Sequence, residues 1–141
     1  KEKIDLPKVL KMLSIHDVVE IDAGDTFFYD AKANEGKFER ELDSAKRIFG
    51  ILSEPLQSEF LNLWLEFEEG KTEEAIFANA VDRMIPFTLN CYNNGLSWIE
   101  AGVTYEKVKQ LLRPKINEAS EEMAEAFDIL IKKAFDEGKL I

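Results

Sequence analysis

Apolar residues recur at three- and four-residue intervals through most of the chain, the period of helices that bury one face. Leu6, Val9, Leu10 and Leu13 follow Asp5, a residue type that caps helix starts, and Pro7 is tolerated in a first turn. They predict a helix from about Leu6 to Glu20. From Ile21 to Gly36 the period is lost. Gly24, Gly36, several Asp and the aromatic run Phe27, Phe28, Tyr29 read as an ordered loop. Such long loops are often functional.

Phe38, Leu42, Ala45, Phe49 and Leu52 form a second apolar stripe. Ser53 and Pro55 restart the chain as a helix carrying Leu56, Phe60, Leu63 and Phe67, which Gly70 closes. Thr72 caps a long helix to about Asn94, with Glu73 and Glu74 in the first turn, where acids suit the helix dipole, and Pro86 as a kink. Thr104 and Ser120 cap two more helices, with an interruption at Pro114, and Gly138 follows the last. No segment reads as a strand, and no solenoid repeat or low-complexity tract is visible. The fold class is all-α, an irregular helical bundle forming a single domain over residues 1–141.

Composition narrows the partners. With 28 acidic and 18 basic residues the net charge is -10, which disfavours nucleic acid, and a phosphorylated substrate would need a local device such as a cation. One Cys, Cys91, cannot form an intrachain disulfide; the expected compartment is the cytoplasm. It reads as an inert small residue of the core or its boundary rather than a nucleophile. No apolar run approaches the roughly 20 residues of a membrane span, so no membrane partner is expected.

Two stripes carry charge where apolar residues belong. The first continues to His16, Asp17 and Glu20. Either the helix surfaces there and leaves solvated charges, or these groups are paired or meet a cation. Asp82 shares a face with Ala75, Ala78, Ile85 and Leu89. It is either neutralised by a basic residue such as Arg83 or turned toward the same cation. Imidazole and carboxylates suit a divalent metal and leave its identity open among Mn, Co, Mg, Zn and Fe.

The string from His16-Asp17 through Glu20 to Gly24-Asp25, with Phe77 to Arg83 downstream, resembles the HD-domain metal-dependent phosphohydrolases. The likeness extends to Glu66-Phe67-Glu68 and to Gly95-Leu96-Ser97-Trp98 with Val103-Thr104, and points to the subgroup of 5'-deoxynucleotidases and HD-domain-containing protein 2. The resemblance implies one divalent metal held by His16, Asp17 and Asp82. It also implies Glu20 as general acid/base, Asp25 beside the bound nucleotide, and hydrolysis of a deoxynucleoside 5'-monophosphate. A homodimer is a further expectation. The family carries another metal-binding His on a helix ahead of the His-Asp pair, whereas this sequence has a single His. That departure implies a sequence lacking its N-terminal helix or a degenerate member. The alternative function is a non-catalytic module that binds nucleotide or a protein partner without turnover; an oxygenase with two irons on the same fold is a more distant one.

Overall fold

The computed structural model describes residues 4–26, 29, 30, 32 and 34–140. The elements are α1 (Leu6–Ile15), a 3-10 turn (His16–Val19), α2 (Glu20–Ala23), α3 (Lys37–Phe49), α4 (Leu56–Glu69), α5 (Glu73–Tyr92), α6 (Leu96–Glu100), α7 (Tyr105–Ala119) and α8 (Glu121–Asp136). Among the described residues there is no strand, as the periodicity predicts. No described helix is long and apolar enough to cross a membrane. The chain forms two compact units, one ending at Ala75 and the other beginning at Ile76, with the boundary inside α5.

In the first unit, α1 begins where an Asp5 oxygen accepts the Lys8 amide at 3.2 Å. Its buried face is Val9, Met12 and Ile15, while Leu6 and Leu10 are 55% exposed. The expected stripe is thus shifted, because α1 packs on α4 along a line through Met12 rather than Leu10. Helix α1 also ends earlier than expected, tightening into the 3-10 turn at His16 instead of running to Glu20. Glu66 on α4 ties the unit together, accepting from Lys8 Nζ at 2.7 Å and from Thr72 Oγ1 at 2.6 Å. Burial would raise its carboxyl, but these two hydrogen bonds and the Lys8 charge hold it below the usual range. The Thr72 oxygen also accepts the Ala75 amide and so caps α5 as expected.

In the second unit, Phe87 lies 4.5 Å from Phe127 and 5.8 Å from Trp98, centroid to centroid, with Ile116, Ile131 and Val108 fully buried. The expected caps form: Thr104 accepts from the Lys107 amide and Ser120 from the Met123 amide. Pro114 does not interrupt α7, because Val108, Leu112, Ile116 and Ala119 stay buried on both sides of it. On α5, Ala78 is buried beside half-buried Asp82, but Ile85 and Leu89 are 54% and 60% exposed. The buried line passes through Ala80, Phe87 and Cys91 instead. The expected stripe therefore reaches the surface beyond Asp82.

Burial raises the Cys91 thiol to about 11, with Lys139 opposing that shift. At pH 8 the native protein should react with a disulfide reagent at least about tenfold more slowly than the urea-unfolded chain, since the thiolate is the nucleophile. Equal rates would place the thiol in solvent.

Candidate metal centre

The 3-10 turn sets the first unit's site. The Phe67 ring of α4 lies 4.5 Å from the imidazole of His16, whose side chain is only 9% exposed. His16 Nδ1 lies 3.0 Å from the Leu13 carbonyl oxygen. A carbonyl only accepts, so Nδ1 carries the hydrogen of this contact. Nε2 stands 3.1 Å from Asp17 Oδ1. In neutral histidine that contact opposes two lone pairs, a repulsion that a proton or a cation removes. A histidine whose far N–H is fixed by a backbone carbonyl is also the usual arrangement of a metal ligand. The donor set on this turn, one oriented imidazole nitrogen and an exposed carboxylate, therefore fits a divalent metal.

Glu20 follows at the start of α2. Burial raises its carboxyl to about 7, with the Asp17 and Asp25 charges adding and Lys37 opposing. Asp25 is exposed after Gly24, whose φ of +81° lies in the region that favours glycine and ends α2. Asp22 is paired with Arg47 of α3. His16, Asp17, Glu20 and Asp25 are thus gathered on one turn and its continuation. Asp82 stands half-buried on α5 in the second unit. The loop's Phe27 and Phe28 lie outside the described residues, while Tyr29 is half-buried.

Sequence reasoning missed Lys37 and Glu41 at the start of α3. Glu41 is 3% exposed and pairs with Lys37 Nζ at 3.3 Å. The four-residue spacing is visible in the sequence, but its burial is not.

A Glu20 pKa of about 7 has a consequence for the chelator-treated protein. Between pH 4.5 and 7 the folded state retains a proton that the unfolded chain has released, so stability falls as pH rises through that window. Glu20→Gln should flatten this part of the profile in urea melts at several pH values. Parallel profiles for the two proteins would show that Glu20 titrates normally.

The HD domain family matches this chain over residues 1–124, and the chain belongs to that family. Among solved structures it is similar to a crystal structure described as a predicted metal-dependent phosphohydrolase from Magnetospirillum magnetotacticum MS-1. The two are 39% identical with a TM-score of 0.91, over 99% of this chain and 69% of that one. Among curated proteins it is similar to 5'-deoxynucleotidase HDDC2 of Dictyostelium discoideum, 33% identical over 82 residues, and of Mus musculus, 30% identical over 82 residues. Those matches take in 58% of this chain, but 43% and 41% of the respective relatives.

Proposed function

We propose that this chain, acting as a single HD domain, is a divalent-metal-dependent phosphohydrolase that removes phosphate from a nucleotide, with a deoxynucleoside 5'-monophosphate as substrate. The proposed metal ligands are His16, Asp17 and Asp82. The observation that carries the reading is the orientation of His16: its Nδ1 is engaged by the Leu13 carbonyl and its Nε2 faces the Asp17 carboxylate. The similarity to a metal-dependent phosphohydrolase and to 5'-deoxynucleotidases supports the reaction and the substrate class. A bound cation would supply charge neutralisation at phosphate oxygens and an acidified water. It would also be the local device that a chain of net charge -10 needs to accept an anion.

The chain's own residues divide the remaining work. Leu13 and Phe67 hold the His16 ring in place. Glu20, at the start of α2 beside the His16-Asp17 turn, takes up or gives back the proton of the attacking water or the leaving alcohol. Asp25, exposed next to Gly24, is assigned to the nucleotide's sugar side, where a carboxylate accepts hydrogen bonds from hydroxyls.

The test is elemental analysis of the purified protein beside Asp82→Ala, followed by phosphate release from deoxynucleoside monophosphates with added Mn²⁺ or Co²⁺. The expected result is near-stoichiometric metal that falls by more than about half in the variant, as happens when one of a few ligands is lost, with release falling in step. Metal without turnover would make the chain a non-catalytic binding module. Equal release by both proteins would overturn the metal mechanism.

A further inference from the structure

We propose that the uncharged apolar face formed by Ile85, Leu89 and Tyr92 of α5 with Leu96 and Ile99 of α6 is a self-association surface, whose occupant is the same face of a second copy of this chain. The inference concerns assembly and stands apart from the hydrolytic reading above.

Both helices turn large apolar side chains to solvent. On α5, Ile85, Leu89 and Tyr92 are spaced four and then three residues apart, the spacing of one helix face, and are 54%, 60% and 67% exposed. The buried side of the same helix is carried by Phe87 and Cys91. On α6, Trp98 is buried while Leu96 and Ile99 are 59% and 50% exposed. The two helices are tied together beneath the face: the Ser97 hydroxyl donates to the Asn90 side-chain oxygen at 2.6 Å, and the Trp98 ring lies 5.8 Å from Phe87. A second copy would therefore meet a surface that is already ordered, which lowers the cost of binding. Five side chains at half exposure or more present on the order of 500 Å², near the top of the range for the largest apolar patch on a monomer. Two such faces meeting would remove about 1,000 Å² from water, the size at which specific interfaces begin.

Charge decides the occupant. From Met84 to Ile99 the sequence holds no Asp, Glu, Lys or Arg, in a chain that is 33% charged. Other exposed apolar residues stand beside charges, as Leu10 does between Lys8 and Lys11. Two copies that each carry a net charge of -10 repel one another, so they meet most readily where neither presents that charge. A basic partner would be drawn to the acidic surface instead. Depletion of charge around a tyrosine and aliphatic anchors is also the composition of an interface core. Ions stand at the edge, where Lys133 Nζ lies 5.7 Å from the centre of the Tyr92 ring and 3.9 Å from Glu137. A twofold pairing sets one patch against its own copy, and an uncharged apolar patch is complementary to itself.

The test is sedimentation equilibrium of the purified protein across a dilution series, with Leu89→Asp, Leu89→Lys and Tyr92→Asp, and with Ile51→Asp as the control, at a residue 73% exposed in the first unit. The wild type should pass from the chain mass to twice that mass as concentration rises. Each Leu89 or Tyr92 variant should raise the midpoint concentration at least about tenfold, the effect of losing an interface anchor, whereas Ile51→Asp should stay within about twofold. Leu89→Lys separates the face from bulk charge: it reduces the net negative charge, so it would strengthen an association limited by bulk repulsion alone but weakens one that buries Leu89. Added NaCl should tighten the wild-type dimer by screening the repulsion between copies. If one substituted position fails to fold, the other decides the matter. A wild type that stays at the chain mass throughout the series overturns the proposal and leaves the face to an apolar partner of another kind. A dimer indifferent to Leu89→Lys and Tyr92→Asp, or one that salt dissociates, places the contact elsewhere and overturns it as well.

Discussion

Glu20→Gln is expected to lower kcat for phosphate release about 10²–10⁴-fold, the contribution of a positioned general acid/base, while metal content stays at the wild-type level. Glutamine preserves the length and most of the shape of the side chain, so packing at the start of α2 changes little. What it loses is the carboxyl that can take up and release a proton. In the metal-free protein, burial and the charges of Asp17 and Asp25 raise Glu20 to about 7. A cation held by Asp17 would offset part of that rise, so the role assigned to Glu20 rests on its place at the start of α2, beside the His16-Asp17 turn, where a carboxylate can accept and return a proton. Phosphate-release kinetics with parallel elemental analysis read the two effects separately. Activity equal to wild type would remove Glu20 from the proton-transfer role, and loss of metal together with activity would place it among the ligands instead.

The parts of this fold legible in the sequence are those that local chemistry dictates. Asp5, Thr72, Thr104 and Ser120 each form the expected cap, because an N-cap bond joins a side chain to an amide three residues away and depends on little else. The short helices α2 and α6 were not legible: four and five residues are too few to display a period. Exact faces were also hidden. Leu6 and Leu10 look as apolar as Val9 and Met12, and only packing against α4 decides which pair is buried. The candidate site divides in the same way. His16, Asp17 and Glu20 stand out as charge within an apolar stripe, and the structure keeps them on one turn. Glu66 stands in an acidic stretch with Glu68 and Glu69, and nothing in that local sequence shows its partners Lys8 and Thr72, which come from outside α4. The burial of Glu41 likewise depends on how α3 packs against the 3-10 turn and α2.

Phe127→Ala is expected to destabilise the second unit by about 3–5 kcal/mol, the usual cost of truncating a buried phenylalanine. The ring is fully buried on α8, and its centroid lies 4.5 Å from Phe87 at an interplanar angle of 33°. Truncation removes the apolar area and the ring contact together, and leaves a cavity beside Phe87. Ile129→Ala is the matched control, two residues along the same helix but 70% exposed; it should cost less than about 0.5 kcal/mol, as surface changes do. Urea unfolding followed by tryptophan fluorescence suits the comparison, because Trp98, 5.8 Å from Phe87, reports on the same cluster. Phe127→Leu separates the contributions: leucine refills much of the volume but cannot restore the aromatic contact, so its cost should fall between those of the other two variants. A Phe127→Ala cost below about 1 kcal/mol would mean that the cluster closes over the missing ring, and that the second unit depends instead on the α7–α8 contacts through Leu112, Ile116 and Ile131.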